Sequence, residues 1–323
     1  MSRMEKKYKI ACVVVTYNRK RLLKRCLDAI QSQTYKPFAV YILDNASSDG
    51  TLDSVKSLSY YNCENNGIIF KYILNNKNEG GAGGFYKGMK AAFQDDHYDA
   101  LWVMDDDGEP ANNCLENLLH YLPKYDYIAP IVLSDEKRDI CAFTSKHESL
   151  SVFSKKAENG LVKDFASPFN GILYSHKLIK KVGFPKKEMF IWGDEVNMHL
   201  RCKNAGFIPV TVINAIHYHP LNKQEYVYYK KSVIIYTESP WKLYCYFRNA
   251  TYNLKYTNYK FLVSYICIIY RFIKMFFLML KYISYYKKIR NKNYSLLLID
   301  AYFSGIFGRF SGLSKYFVES KSS

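Results

Sequence analysis

The chain lacks the signatures of several common protein classes. Its 8 cysteines among 323 residues form no Cys-x-x-Cys pair and no framework spacing, so we expect reduced thiols, as in the cytosol. It contains neither a Gly-x-x-x-x-Gly-Lys-Ser/Thr loop nor a Gly-x-Gly-x-x-Gly fingerprint after the first predicted strand. This argues against a Walker ATPase and an ordinary dinucleotide-binding domain. No secretory signal peptide is visible, because the polar N-terminal residues lead straight into a strand.

Acidic residues are scarce relative to basic ones. The chain has 29 Asp and Glu against 46 Lys and Arg, a formal net charge of +17 at pH 7. Such a charge suggests a nucleic-acid or a membrane partner. No zinc spacing or RNA-binding signature accompanies it, and a large share of the excess lies in the C-terminal tail. We therefore predict contact with an anionic membrane surface and no nucleic-acid partner.

Three consecutive aspartates stand out among the few acids. Asp105, Asp106 and Asp107 follow an apolar run that predicts a buried strand. Clustered carboxylates are costly to bury unless a cation compensates their charge. An Asp-x-Asp pair suits Mg²⁺ or Mn²⁺, which also bind substrate phosphates. The alternative interpretation is a solvated Asp-Gly turn ending at Gly108.

Two βα units precede the aspartates. Residues 10–15 and 38–43 are apolar runs without alternation, which is typical of buried parallel strands, and polar residues follow each run. Open α/β sheets bind ligands at the carboxyl ends of their strands. Thr16, Asp44 and Asp105 are therefore expected to meet at one crevice.

A third predicted strand, residues 68–74, leads into a loop with four glycines. The loop precedes a helix-like segment, so it could offer backbone N–H groups to a phosphate, although most such loops are only flexible connections. The candidate ligand contacts in this loop are Asn78, Gly80, Gly81, Gly83 and Gly84.

With these segments, the chain resembles the family 2 glycosyltransferases, which have the GT-A nucleotide-sugar-binding fold. The loop at residues 80–85 is similar to that of bacterial galactofuranosyltransferases and some rhamnosyltransferases. The resemblance implies an α/β fold with a mixed, mainly parallel sheet flanked by helices. The motifs that carry it are residues 15–19, 44–51, 105–107 and 190–196, with Arg201 and Gly206 after them.

The resemblance also implies a role for each motif. Asp105, Asp107 and His219 would hold Mn²⁺ or Mg²⁺, with His217 as the competing histidine. Trp192 and Gly193 would contact the acceptor. The residues implied to contact the nucleotide sugar, besides those of the glycine loop, are Thr16, Tyr17, Asn18, Arg19, Asp44, Asn45, Asp105 and Asp106.

The acidic pair Asp194 and Glu195 begins a predicted helix. The resemblance implies that the second acid is the catalytic base, and relatives usually have Asp there. Glu can serve, but its extra methylene displaces the carboxylate, so both acids stay candidates. Charge at a helix N-terminus is the structural alternative. Asn197 is a further departure, since relatives often have an acid at that position.

These assignments predict an inverting, metal-dependent glycosyltransferase. The base would deprotonate an acceptor hydroxyl that attacks the anomeric carbon, and the nucleoside diphosphate would leave from the opposite face. The expected donor is UDP-galactofuranose, and the expected acceptor is a glycan or lipid-linked glycan of a bacterial surface polysaccharide, such as capsule or lipopolysaccharide. The alternatives are a rhamnosyltransferase that uses dTDP-rhamnose and a non-catalytic sugar-nucleotide-binding protein.

The tail has its own composition, rich in Tyr, Phe, Ile and Lys. Residues 261–286 have nearly the length of a membrane span, but Arg271 and Lys274 near their middle make spanning costly. We expect a cytoplasmic, peripheral enzyme whose helices lie in the membrane interface, with core packing or a homo-oligomer contact as alternatives. The predicted domains are a GT-A domain, 8–235, and a C-terminal aromatic and basic helical region, 236–323.

Overall fold

The structure is a computed structural model that describes residues 7–61, 67–95, 97–143, 148–221, 225–257 and 263–317. The chain forms two compact units. The first comprises Met1–Pro185 and Ala205–Asn222, and the second comprises Lys186–Asn204 and Lys223–Ser323. The functional division into a GT-A domain, 8–235, and a C-terminal helical region, 236–323, stays a prediction. Compactness groups residues 186–204, which include the Asp194–Glu195 pair, with the C-terminal helices.

The first unit alternates strands with helices. Its strands are β1 (Ile10–Thr16), β2 (Ala39–Asp44), β3 (Ile69–Leu74), β4 (Ala100–Asp105), β5 (Glu109–Pro110), β6 (Tyr127–Ser134), β7 (Leu161–Lys163), β8 (Asn170–Ser175) and β9 (Val210–His219). Its helices are α1 (Lys20–Gln31), α2 (Thr51–Lys56), α3 (Gly80–Asp95), α4 (Cys114–Leu119), α5 (Leu150–Lys156) and α6 (His176–Val182).

One sheet organises this unit. Within the described residues it has nine strands in the order β3-β2-β1-β4-β8-β6-β9-β5, with β7 beside β9. The strands β3, β2, β1 and β4 are parallel, and β8 is antiparallel to both β4 and β6. The predicted mixed, mainly parallel sheet flanked by helices is confirmed.

The apolar runs form the core of the sheet. Every residue of β1 and β2 is buried, as expected for strands that helices cover on both faces. Helix α1 packs on the sheet through buried residues three and four positions apart, which is the spacing of one helix face. These residues are Leu23, Cys26, Leu27 and Ile30.

The register of the strands brings the predicted polar residues to one edge of the sheet. Thr16 pairs with Asp44, and Val15 pairs with Asp105, so the carboxyl ends of β1, β2 and β4 coincide. Strand β9 is parallel to β6, which has the same direction as β4, so His219 ends at that edge too. Thr16, Asp44 and Asp105 therefore end at one edge of the sheet, where the sequence predicted a ligand crevice.

Helix α3 approaches the sheet closely at two glycines one turn apart. A Cβ atom on Gly84 would lie 2.5 Å from Val15 Cγ1 and 2.9 Å from Asn45 Nδ2, and one on Gly88 would lie 2.7 Å from Val13 Cγ1. Side-chain atoms do not approach so closely without displacing their neighbours. Gly84 and Gly88 therefore serve helix–sheet packing.

We predict that Gly84→Ala lowers the free energy of unfolding by about 1–3 kcal/mol, because the added methyl group overpacks the contact with β1 and β2. Gly81 is a matched control in the same helix, since a Cβ there meets no atom within 4 Å. Gly81→Ala should change stability by less than about 1 kcal/mol, in the stabilising direction, because Ala favours the helix. Urea denaturation measures both, and equal stability of the two variants would contradict the packing role.

The second unit is mainly helical and confirms the predicted C-terminal helical appendage. Three helices, α8 (Pro240–Asn253), α9 (Val263–Ile289) and α10 (Ser295–Phe307), share a core that includes Leu243, Phe247, Tyr282 and Leu298. Among the described residues, no helix is long and apolar enough to cross a membrane. Its elements are α7 (Asp194–Asn204), β10 (Tyr226–Tyr229), β11 (Ser232–Ile235), α8 (Pro240–Asn253), α9 (Val263–Ile289) and α10 (Ser295–Phe307).

Candidate active site

The aspartates after β4 form a charged cluster at the carboxyl edge of the sheet. The Thr16 hydroxyl donates to Asp106 Oδ2 at 2.7 Å. Arg19 Nη1 lies 3.2 Å from Asp106 Oδ1 and 2.9 Å from Asp107 Oδ2. His219 Nε2 lies 3.0 Å from Asp107 Oδ1. Residues far apart in sequence thus meet around the aspartates, and Arg19 and His219 supply the opposite charge.

Burial sets the protonation of these carboxyls. Burial, with the charges of Asp107 and Asp106, raises the pKa of Asp105 well above its usual range. Burial also raises the pKa of Asp106 to about 6, against the opposing effects of Thr16 and Arg19. Burial alone would raise the pKa of Asp107, but the hydrogen bond and charge of His219 and the charge of Arg19 outweigh it, and the pKa is lowered. An added cation would stabilise the ionised form of these carboxyls.

The predicted metal ligands are close together, although they do not form a finished site. No three His, Cys, Asp or Glu side chains of the described residues are arranged so that they could already hold a metal. The chemistry of the donors nevertheless fits a divalent ion, since carboxylate oxygens and an imidazole nitrogen are ligands that Mn²⁺ accepts. Asp107 and His219, which contact each other, are among the residues that would hold such an ion.

The two candidate histidines have different surroundings. His217 is fully buried against Gly108 and Gly171, where a Cβ atom on either glycine would lie within 3 Å of its ring. Neither ring nitrogen of His217 has a hydrogen-bond partner among the described residues, and burial lowers its pKa to about 3. His219 faces Asp107, so the geometry places His219, and not His217, beside the aspartates.

The residues that follow β2 connect the strand ends to the glycine loop. Asp44 Oδ1 accepts from the Ser47 backbone N–H at 2.8 Å. Asn45 Nδ2 donates to the Gly80 carbonyl at 2.9 Å, and Asn45 Oδ1 accepts from Asn75 Nδ2 at 2.8 Å. These bonds connect the end of β2 with the start of α3, so Asn45 holds the glycine loop in position.

The segment after β1 is held against the segment after β2. Asn18 has a positive φ of 52°. Its backbone N–H donates to Ser47 Oγ at 2.8 Å, and its side-chain oxygen accepts from the Ser48 N–H at 2.7 Å. The neighbouring Tyr17 side chain is exposed. Tyr17 is therefore free to meet a ligand, whereas Asn18 is engaged in the backbone of the site.

The glycine loop begins helix α3 directly. Asn78 Oδ1 accepts from the Gly80 N–H at 2.8 Å. A Cβ on Gly83 would lie 2.5 Å from Glu79 Cβ, whereas one on Gly81 would meet open space. Of the predicted loop residues, Gly80, Gly83 and Gly84 are thus engaged within the protein, and Gly81 has open space beside it.

The acidic pair lies in the second unit, at the start of α7. Asp194 is only 4 % exposed, whereas Glu195 is half-buried and its Oε2 accepts from the Gly193 N–H at 2.9 Å. Glu195 also lines a cavity of about 430 Å³, together with Trp192 and Gly193. Much of the remaining wall is apolar and comes from Val196, Leu200, Tyr246, Ala250, Leu254 and Met275. Of the two acids, Glu195 is the one that a molecule in this cavity would touch.

The structure explains the departure at Asn197. Its side-chain N–H donates to Asn253 Oδ1 at 3.0 Å, and its oxygen accepts from Arg201 Nε at 2.9 Å. An amide satisfies both partners at once because it carries a donor and an acceptor. Asn197 therefore joins α7 to α8.

Two site-supporting residues in α8, Arg248 and Asn249, had no predicted role. Both are completely buried and bond to the main chain of the loop before Asp194. The signal in the sequence was the presence of Arg and Asn in a helix otherwise rich in aromatic residues. Such a pattern shows that polar partners are required without showing where they lie.

The α/β sheet with its aspartates at the carboxyl edge is that of a GT-A glycosyltransferase. A family model described as glycosyl transferase family 2 matches residues 11–183. The match covers more than half of the chain, so the chain belongs to this family.

The relatives agree with this assignment. Galactofuranosyltransferase GlfT1 of Mycobacterium tuberculosis is 31% identical over 256 residues, which are 76% of this chain and 82% of that protein. The mannosyltransferase PcManGT from Pyrobaculum calidifontis, solved with GDP-Man and Mn²⁺, has a TM-score of 0.56 at 13% identity and covers 94% of this chain and 89% of its own. Staphylococcus aureus TarS 1–349, solved with UDP-GlcNAc, has a TM-score of 0.54 at 16% identity, covering 94% and 83%. The two solved structures support the fold.

Proposed function

We propose that this family 2 glycosyltransferase transfers galactofuranose from UDP-galactofuranose, with inversion, to a glycan or lipid-linked glycan acceptor of a bacterial surface polysaccharide. The observation that carries the donor site is the buried aspartate cluster with Arg19 and His219 at the carboxyl edge of the sheet. The choice of sugar is supported by the relatives named galactofuranosyltransferase GlfT1, at 31% and 29% identity.

The donor-binding residues are those around the crevice. Thr16, Asp44 and Asp106 lie where the nucleoside would bind, and the exposed Tyr17 borders them. The start of α3 at Gly81, which borders open space, presents a backbone N–H group that suits a diphosphate, while the Gly80 N–H is held by Asn78. The nucleotide would thus be held by main chain on one side and by the strand ends on the other.

Asp105, Asp107 and His219 are the residues that would hold Mn²⁺ or Mg²⁺ in this proposal. A bound divalent ion supplies Lewis-acid stabilisation of a leaving diphosphate. The charges of His219 and Arg19 lower the pKa of Asp107 and so favour its anionic form, whereas burial raises the pKa of Asp105, so an ion bound there would displace a proton. PcManGT, which shares the fold, was solved with Mn²⁺.

Glu195 is the proposed base, with Asp194 as the competing candidate. The acceptor hydroxyl would give its proton to the Glu195 carboxylate as its oxygen bonds to the anomeric carbon and the carbon–oxygen bond to the diphosphate breaks. The cavity beside Glu195 supports this role, because Trp192 and Gly193, the predicted acceptor contacts, form part of its wall. The half-buried position of Glu195 allows access that the buried Asp194 lacks.

The first prediction from the proposed function concerns the donor and the metal. Nucleotide release with UDP-galactofuranose and acceptor should exceed that with UDP-galactopyranose, UDP-glucose or dTDP-rhamnose, and EDTA should abolish it. Asp107→Ala should lower turnover by about 10²-fold or more and weaken Mn²⁺ binding measured by calorimetry, because a charged ligand is lost. Asp53→Ala removes an exposed acid of the same unit as a control. Full activity in EDTA would contradict the proposed metal dependence.

The second prediction concerns the base. Glu195→Gln keeps the size of the side chain but removes its basicity, so donor affinity should persist while kcat falls by about 10²-fold or more. Asp194→Asn should have the milder effect on kcat. Steady-state kinetics together with donor-binding measurements separate the cases. A large fall of kcat in Asp194→Asn, with near-normal kcat in Glu195→Gln, would assign the base to Asp194. Normal turnover in both folded variants would exclude the pair.

We also propose a peripheral position at the inner face of the cell membrane, through α9. One face of α9 packs in the core of the second unit through Met279, Tyr282 and Tyr286. The helix nevertheless exposes large apolar side chains elsewhere, and Lys274, Lys287 and Lys288 are exposed on it as well. An apolar surface with cations beside it suits the interface of an anionic bilayer. The exposed apolar residues are Ile266, Ile269, Tyr270, Ile273, Phe276, Phe277, Leu280 and Ile289.

The third prediction tests this membrane surface by flotation with vesicles. Binding should be stronger on anionic than on neutral lipid and weaker in high salt, because part of the attraction is electrostatic. Ile269→Ser should reduce flotation. Ile208→Ser is a matched control, since both isoleucines are 58 % exposed and Ile208 lies in the first unit. Equal flotation of both variants, or no preference for anionic lipid, would count against α9 as the contact.

A further inference from the structure

Helix α8 buries an unusual set of polar side chains. Arg248 and Asn249 are fully buried, and Asn253 is 5 % exposed, although the helix also contributes Leu243, Tyr244 and Phe247 to an apolar core. Burying amides and a guanidinium is costly unless hydrogen bonds replace those made to water. Their partners should therefore reveal why a packing helix retains them.

The partners are main-chain carbonyls of the loop that precedes the acidic pair. Asn249 Nδ2 lies 3.0 Å from the carbonyl oxygens of Met189 and Ile191 and 2.7 Å from that of Trp192. Arg248 Nη2 donates to the Met189 carbonyl at 2.8 Å. One face of α8 is thus bonded to three carbonyls of the loop.

The same face of α8 also holds the end of the loop. Asn253 Nδ2 donates to the Gly193 carbonyl at 2.8 Å, and that carbonyl also accepts from the Asn197 backbone N–H at 2.9 Å. The polar side chains of α8 thus bind the loop from residue 189 to residue 193.

The loop needs such support because its backbone is strained. Phe190 and Trp192 have φ values of 68° and 57°, and Gly193 has φ of 98°. Positive φ at a bulky residue is unfavourable and persists only when surrounding contacts enforce it. A Cβ on Gly193 would lie 2.9 Å from Asn249 Cβ, so the loop also lies directly on the helix.

The strained loop in turn fixes the candidate base. The Gly193 N–H donates to Glu195 Oε2 at 2.9 Å, and Trp192, Gly193 and Glu195 line the same cavity. Moving the Gly193 peptide would therefore move the carboxylate oxygen that its N–H binds. The chain of contacts runs from Asn249 and Asn253, through the loop carbonyls, to Glu195.

We propose that Asn249 and Asn253 are positioning residues for the reaction: they hold the Trp192–Gly193 backbone and thereby place the Glu195 carboxylate against the acceptor hydroxyl. This inference rests on the proposed function, in which Glu195 is the base. Errors of about 1 Å in such a group can cost on the order of 10²-fold in rate. The donor-binding residues lie in the other unit, so the loss should fall on kcat and leave the KM for the donor nearly unchanged.

The test compares Asn249→Ser with Thr251→Val in the full-length enzyme. Thr251 is fully buried in the same helix, and its hydroxyl donates to the Phe247 carbonyl of that helix at 2.8 Å. Thr251→Val therefore disturbs α8 without removing a bond to the loop. We expect kcat to fall by about 10–10²-fold in Asn249→Ser and by less than about threefold in Thr251→Val, each with donor KM within about twofold of the unmodified enzyme.

Each variant is then combined with Glu195→Gln. If Asn249 acts through the base, Asn249→Ser should add less than about threefold to the loss already caused by Glu195→Gln, because the two changes remove one function. Equal losses in both backgrounds, or unchanged kcat in folded Asn249→Ser, would overturn the proposal. Should Asn249→Ser fail to fold, Asn253→Ser carries the same test through the Gly193 carbonyl. Normal turnover of Glu195→Gln alone would instead refute the base assignment of the proposed function.

Discussion

The cost of burying three adjacent carboxylates is the constraint on which the first unit depends. Asp105 is partly buried at the end of β4, where burial and the neighbouring carboxylates disfavour its charge. The structure answers with Arg19, His219 and the Thr16 hydroxyl, which reach the aspartates from the ends of other strands. A sheet with parallel strands is what makes this possible, because it brings several carboxyl ends to one edge. The same negative charge density underlies the proposal of a divalent ion at this edge, which would in turn attract a diphosphate.

A second and different constraint governs the other unit. There the strained backbone of Phe190 and Trp192, with the adjoining Gly193, is stabilised by the buried amides and guanidinium of α8. The two parts stabilise each other, because the buried amides of α8 need hydrogen-bond acceptors and the positive-φ backbone of the loop needs contacts that hold it in place. Donor binding is proposed for the carboxyl edge of the sheet, and proton transfer for the loop before α7. The Asn197 amide belongs to this second network, so the absence of an acid at that position has a structural reason.

Local patterns predicted much of the first unit. The apolar runs of β1 and β2 were recognisable because strands covered on both faces need no alternation, and Thr16 and Asp44 could be placed together because parallel strands end together. The glycine loop was harder. Its spacing suggested space for a ligand, yet Gly84 is required by contact with Val15, whereas Gly81 borders open space. Absence of a side chain looks the same in a sequence whether helix packing or ligand approach requires it.

The sequence by itself determined the family, the α/β class and the acids available for chemistry, because these follow from short motifs and from the period of apolar residues. Only the tertiary structure decided that His219 faces Asp107 while His217 fills the space beside Gly108. The two histidines are two residues apart in a strand, so both project to the same face and the sequence pattern does not distinguish them. The tertiary structure also decided that α8 supports the loop of residues 189–193, about sixty residues earlier in the chain. The hydrogen bond from Asn249 to the Trp192 carbonyl is one of these contacts. Hydrogen bonds of that range depend on how helices pack, and no local pattern specifies their partners.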